Sequence, residues 1–232
     1  MTRNFTPGLV ALAHSLSKYG KVNELDWHII WEDEPVENYE KVLSTFKFNA
    51  ITHRVSDFDD IPPVIGTKNH LQVTRNKLLA WLLPPDDLYT QIDVDMICKR
   101  DAREMLNFKH FSAERRPGAP GFCSGLWTFK PSEDVFHTLI TDILPQGWDL
   151  ADQSILNEYF TEQHPDMKYL DWEWNTSKRE TVRQPNWLDL FQDSIFIHYH
   201  GKYKPWLANE PGYELTHSLW HMLYREAISV LK

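Results

Sequence analysis

Asp93 and Asp95 stand one residue apart and close the run Leu88-Tyr89-Thr90-Gln91-Ile92, which reads as a buried strand. A carboxylate carried to the end of such a strand loses hydration unless it is paired. Two of them this close repel each other, and the simplest relief is a divalent cation between them. An isolated Asp-x-Asp is also satisfied by a solvated strand end, so the chemistry depends on what else the chain offers. A second cluster, from Ile197 to Trp206, carries His198, His200, Gly201, Lys202 and Lys204. One imidazole with two carboxylates suits Mn²⁺, with Mg²⁺ as the alternative, and phosphate oxygens or water can complete an octahedron. Gly201 lets the backbone approach an anion closely, and Lys204 can neutralise phosphate charge. The competing reading is a solvated basic loop with His198 as a core histidine.

Asp152-Gln153-Ser154-Ile155-Leu156-Asn157 opens a helix. Asp152 can complement the helix start, or it can present a carboxylate beside an amide to a polyhydroxylated substrate. Gly121-Phe122-Cys123-Ser124-Gly125 has the outline of a nucleophile elbow, but that device needs a helix immediately afterwards. Leu126-Trp127-Thr128-Phe129 continues as strand instead, which argues against a cysteine hydrolase. No glycine-rich phosphate loop occurs, so phosphate recognition falls to the cation and the lysines.

The elements that must position these groups alternate along the chain. A helix is expected over 6–16, capped by Thr6 with Pro7 in its first turn and Gly20 beyond its end. Strands are expected over 25–31, 49–55, 88–93, 122–129 and 194–198. Helices are expected over 38–46, 69–83, 101–107, 131–144, 151–160 and 215–231. Residues 171–192 hold Trp172, Trp174 and Trp187 with little periodicity, and read as a long ordered loop. This alternation implies an α/β chain with a mostly parallel central sheet flanked by helices. Ligands of such sheets bind outside the carboxyl ends of strands, where Asp93 and Asp95 fall.

Composition sets outer limits. The 232 residues fit one domain, and 42% apolar content is enough for a sizeable core. The formal charge of −9 argues against a nucleic-acid partner. Two cysteines make no disulfide scaffold, and Cys98 and Cys123 read as reduced thiols in apolar surroundings. No run reaches the length of a membrane span and no secretory leader is evident, so a cytoplasmic protein is expected. The ten tryptophans read as core and rim packing or as sugar-stacking faces.

In this order the motifs resemble those of the family 8 glycosyltransferases, the glycogenin-like retaining enzymes of GT-A fold. Phe5-Thr6-Pro7-Gly8 and the following helix are similar to the family's aromatic-x-x-Gly and helix. Lys77-Leu78-Leu79-Ala80-Trp81 resembles its Lys-Leu-x-x-Trp, and Ile92-Asp93-Val94-Asp95 its metal motif. Phe122-Cys123-Ser124-Gly125, Asp152-Gln153 with Leu156-Asn157, and His198-x-x-Gly201-x-x-Lys204-Pro205-Trp206 resemble the remaining motifs. The resemblance implies a Rossmann-like GT-A domain over residues 1–232. The family's opening apolar strand has no counterpart before Phe5.

The resemblance also implies roles. Asp93, Asp95 and His198 would hold Mn²⁺ against the diphosphate of a nucleotide sugar, a UDP-sugar in particular. Gly201 and Lys204 would bind the phosphates, and Lys77 would reach the diphosphate or donor sugar. Val94 and Cys123 would line the donor site, with Phe5 against the base. Asp152 would bind donor-sugar hydroxyls, with Gln153 near the anomeric carbon. Cys123 stands where the family has Asn, so donor identity does not carry over. The acceptor would be a carbohydrate or glycoconjugate. Two other classes use the same residues: a metal-dependent phosphohydrolase of nucleotide sugars, and a non-catalytic carbohydrate-binding protein.

Overall fold

The computed structural model describes residues 5–23, 25–31, 36–58, 74–115, 121–144, 151–163, 167–208 and 210–231. Helix α1 (Thr6–Ser15) is followed by a π-helical turn over Leu16–Gly20. Then come β1 (Asp26–Trp31), α2 (Val36–Thr45) and β2 (Asn49–Arg54). A 3-10 stretch, Asn76–Leu82, precedes β3 (Tyr89–Ile92) and β4 (Met96–Cys98). Strands β5 (Ser112–Arg115) and β6 (Phe122–Phe129) lead to α3 (Glu133–Thr138) and α4 (Asp152–Gln163). After β7 (Lys168–Leu170) and β8 (Thr176–Ser177) come the short helices α5 (Glu180–Arg183) and α6 (Trp187–Asp193). Strand β9 (Phe196–His198) and the long helix α7 (Glu214–Leu231) complete the order.

The α/β class is as expected, but strand direction is mixed. β1/β2, β5/β7 and β8/β9 pair parallel, whereas β3/β6, β5/β6 and β4/β9 pair antiparallel. β6 is buried at seven of its eight positions and half-buried at Cys123. A strand covered on both faces shows the same apolar run whichever way its neighbours point. The expectation of a mostly parallel sheet was therefore undetermined by pattern. Among the described residues no ladder joins β1 to β3 or β4.

Other departures are local. Thr6 does not cap α1: its hydroxyl is buried without a partner, and Phe5 precedes the first turn. Gly20 lies within the π-helical turn, and Lys21, at φ 55°, takes the left-handed conformation at its end. The segment read as a loop over 171–192 contains a 3-10 turn (Trp172–Asn175), β8, α5 and α6. Of the helix expected over 69–83, residues 69–73 lie outside the described residues, and the rest winds mainly as a 3-10 stretch.

Among the described residues Trp81, Trp127, Trp174 and Trp220 are buried in the core. Trp81 and Trp127 are fully buried, with ring centroids 5.5 Å apart, and Phe129 and Phe160 stack around them. Trp220 packs between Trp206 and Tyr224. The aromatic cluster around Trp81 holds the 3-10 stretch that carries Lys77 against β6. Removing its centre is costly, because neighbours relax only partly into the cavity. We expect Trp81→Ala to lower unfolding free energy by about 3–5 kcal/mol, read from the urea midpoint with an unchanged slope.

Candidate active site

The two acids sit on a turn rather than on a straight strand. The Asp93 carbonyl accepts from the Met96 amide at 3.1 Å, which folds the chain from β3 into β4. The Asp93 amide donates to the Gly125 carbonyl at 2.8 Å, tying the turn to β6. β4 pairs antiparallel with β9 and sets Met96 opposite His198. The Tyr199 amide then donates to the Asp95 carbonyl at 2.8 Å. Backbone bonding thus brings together residues from distant parts of the chain.

The Nε2 of His198 lies 3.2 Å from Asp95 Oδ1 and 3.7 Å from Asp93 Oδ2. One ligand atom from each of these three residues falls within 4.8 Å of the others. The Nδ1 of His198 bonds Asn175 Oδ1 at 2.9 Å. An amide oxygen only accepts, so Nδ1 carries a proton and Nε2 is the nitrogen turned to the acids. Two carboxylate oxygens and an oriented imidazole nitrogen fit a divalent cation of the Mn²⁺ or Mg²⁺ kind.

Each acid also has its lysine. Lys77 Nζ lies 2.7 Å from Asp93 Oδ1 and 3.0 Å from Asp152 Oδ2. Lys204 Nζ contacts Asp95 Oδ2 directly and donates to the Tyr199 carbonyl at 3.1 Å. Burial alone would lower the Lys77 ammonium, but Asp152 and Asp93 outweigh it and raise its pKa. Burial raises Asp93 against the pull of Lys77. Burial would raise Asp95 too, yet His198 and Lys204 hold it well below the usual carboxylate range. Burial disfavours the His198 imidazolium, and Asp95 overrides that and pushes it up to about 10.

Asp152 opens α4 from inside the site. Its Oδ2 accepts from Ser124 Oγ at 2.7 Å, and Gln153 Oε1 accepts from the Ser124 amide at 3.2 Å. Asn157, one turn on, clamps Phe122 through both its amide and its carbonyl. Phe5 meets Trp206 edge-on, with centroids 5.8 Å apart. Gly8 is required where α1 meets the turn, because a Cβ there would overlap the Val94 carbonyl.

A cleft of about 1300 Å³ joins these groups, and all eleven residues singled out from sequence line it: Phe5, Lys77, Asp93, Val94, Asp95, Cys123, Asp152, Gln153, His198, Gly201 and Lys204. Gly201 has φ +95°, a conformation that side chains rarely adopt. Three positioning residues escaped the sequence reading. Asn175 came from the Trp-rich segment, where no motif flagged it. Ser124 lay inside a quoted motif without a role. Lys178 is buried and pins the loop after β9 through Tyr203 O at 2.6 Å and Glu210 Oε2 at 2.7 Å.

The fold and its cleft are similar to those of glycosyltransferases of GT-A type. Residues 109–210 match the model of the family described as glycosyl transferase family 8. The chain is 24% identical to glycogenin-1 of Caenorhabditis elegans over 240 aligned positions, covering 97% of this chain and 54% of that protein. It therefore spans about half the length of that relative. The solved glycosyltransferase GlyE of Streptococcus pneumoniae superposes with a TM-score of 0.72 at 19% identity, covering 98% of this chain and 62% of that one. The galactosyltransferase LgtC, solved with donor and acceptor sugar analogs, gives 0.68 at 15% identity, covering 97% and 94%. Residues 109–210 thus carry a family 8 glycosyltransferase match, and the chain as a whole is similar to glycosyltransferases of that kind. No helix among the described residues is long and apolar enough to cross a membrane.

The His198 shift carries a signed pH dependence. A group whose folded pKa of about 10 exceeds its ordinary 6.5 adds stability that is complete below 6.5 and fades as pH rises through 10. With chelator present, the stability advantage of the native protein over His198→Gln should therefore shrink between pH 6.5 and 10. Urea midpoints of both proteins across that range check it.

Proposed function

We propose that residues 1–232 act as one transferase domain that moves a hexosyl group from a nucleotide sugar, a UDP-sugar, to a carbohydrate or glycoconjugate acceptor with retention at the anomeric carbon. The observation that carries this reading is the convergence of Asp93, Asp95 and His198 with Lys77, Lys204 and Asp152 on one cleft. Asp93, Asp95 and His198 would hold a divalent cation, Mn²⁺ in the first instance. When bound, the cation supplies charge stabilisation at the diphosphate.

The remaining work falls to side chains of this chain. Lys204, on the loop with Gly201, balances negative charge at the phosphate end. Lys77 bridges that end to Asp152, so an ammonium lies between the phosphate side and the sugar side of the cleft. Asp152, held by Ser124, takes donor hydroxyls and stabilises positive charge as the glycosidic bond weakens. Gln153 is a poor nucleophile and its amide oxygen is engaged by the Ser124 amide. Transfer then follows a front-face path. The acceptor oxygen bonds to the anomeric carbon as the carbon–oxygen bond to diphosphate breaks. The electron pair leaves with the diphosphate, and the acceptor's proton passes to a leaving phosphate oxygen.

Asp93→Asn and Asp95→Asn should each abolish Mn²⁺-dependent UDP binding measured by calorimetry, with EDTA reproducing the loss in the native protein. UDP binding that survives either change, or sugar binding indifferent to EDTA, counts against the transferase. A thermal-shift panel of nucleotide sugars with and without Mn²⁺ names the donor. Mass spectrometry of the enzyme incubated with donor should show no glycosyl adduct; one trapped on Asp152 or Gln153 would sink the front-face path.

A further inference from the structure

Lys77 and Lys204 face the cleft already committed to acids, Lys77 to Asp93 and Asp152, and Lys204 to Asp95. His198 would ligate a cation as a neutral imidazole. With a divalent cation bound, these three acids and two lysines leave a single positive charge. A sugar diphosphate carries two negative charges and gathers more as its glycosidic bond breaks. Glu180 lines the same cleft and adds an acid, not a cation. A site so balanced holds a diphosphate more firmly with a further cation within reach.

Arg179 stands at that end. Its Nη2 lies 3.5 Å from the position a Cβ would take at Gly201, on the loop that also carries Lys204. Gly201 lines the cleft, and Arg179 is exposed beside it. Among the described residues the guanidinium has no hydrogen bond or ion pair. An exposed arginine solvated by water is ordinary. What distinguishes Arg179 is how firmly its backbone is set. Ser177 pairs with His198 in the parallel β8/β9 ladder, and the Lys178 amide donates to the His198 carbonyl at 3.0 Å. The Arg179 amide donates to Ser177 Oγ at 3.1 Å, and that hydroxyl also bonds His200 Nε2. Lys178, only 1% exposed, holds Tyr203 O and Glu210 Oε2. The root of the Arg179 side chain is therefore tied to the strand bearing His198 and to the loop bearing Gly201, while its charged end stays unpaired. Lys202, on the same loop, has its ammonium over the Tyr203 ring, 5.6 Å from the centroid.

We propose that Arg179 is a phosphate-binding residue of the donor site: its guanidinium crosses Gly201 and pairs with diphosphate oxygens, adding the positive charge that Lys77 and Lys204 leave unmet. This rests on the sugar-transfer reading of the cleft. A planar guanidinium offers parallel N–H donors to one phosphate, so the contact is bidentate and charge-assisted. Because the diphosphate gains charge as it leaves, the contact strengthens toward the transition state. A guanidinium has no lone pair to offer a metal, so Arg179 acts on the nucleotide and not on the cation.

The test uses the full chain with UDP and Mn²⁺, read by calorimetry. A native protein that forms no such complex fails the transferase reading and takes the proposal with it; a native complex indifferent to Arg179 defeats the proposal alone. Arg179→Ala should weaken UDP at least about tenfold at low ionic strength, the loss of a charge-assisted pair. The deficit should shrink as NaCl is added, because charges on an exposed rim are screened. Arg179→Lys, which keeps the charge but not the fork, should recover part of the loss. Mn²⁺ binding without nucleotide, followed by electron paramagnetic resonance, should match the native protein in both variants, as should the urea midpoint. UDP affinity of Arg179→Ala within about twofold of native, the range of an exposed charge that pairs with nothing, would overturn the proposal. So would a loss of UDP matched by an equal loss of Mn²⁺ alone, which marks a structural role through Ser177 and His198.

Discussion

Two carboxylates held one residue apart on a tight turn cannot both stay ionised in a cleft without positive charge around them. Two unit charges 4 Å apart at an effective dielectric near 20 interact by about 4 kcal/mol, a large fraction of a typical domain's stability. The surrounding structure answers that demand. Lys77 arrives from the 3-10 stretch before β3, and His198 and Lys204 arrive from the end of β9 and the loop beyond it. The antiparallel β4/β9 pairing and the Tyr199-to-Asp95 backbone bond fix how close the imidazole comes. Buried charges of this kind are weak contributors to stability and strong determinants of geometry, because each partner left alone would be uncompensated.

β6 translates that charge cluster into a two-sided site. On one face its Ser124 hydroxyl and amide hold Asp152 and Gln153 at the opening of α4. On the other, Gly125 leaves room for the His198 ring, which a Cβ would displace. The strand can serve both sides because it is covered on both and clamped at its start by Asn157. Rigid support by strand and helix, rather than by loops alone, is what holds reacting groups at a fixed distance. The aromatic core around Trp81 and Trp127 is remote from the chemistry, yet it sets where Lys77 stands.

Much of this could be read along the chain. Asp93 and Asp95 declared themselves because acids at a strand end are chemically costly, and the His198-to-Trp206 run because imidazole, glycine and lysine together suit a metal and a phosphate. Residues with such local signatures all reached the one cleft. Asn175 and Lys178 carry no local signature. Their significance comes from what surrounds them, and an asparagine or a lysine reads alike in a solvated loop and in a buried wall. The Trp-rich segment shows the same limit: its low periodicity read as a loop, whereas short helices there are held by tertiary contacts that propensity does not encode.

The sequence by itself determined the α/β class, the family motifs and the identity of the charged groups, because these depend on residue type and short-range spacing. Only the tertiary structure decided strand direction, the pairing of each acid with its lysine, and the division of β6 into a face toward Asp152 and a face toward His198. These depend on pairing between strands far apart in the chain. The hydrophobic pattern of a doubly covered strand is the same for either direction, so nothing short of the assembled sheet distinguishes them.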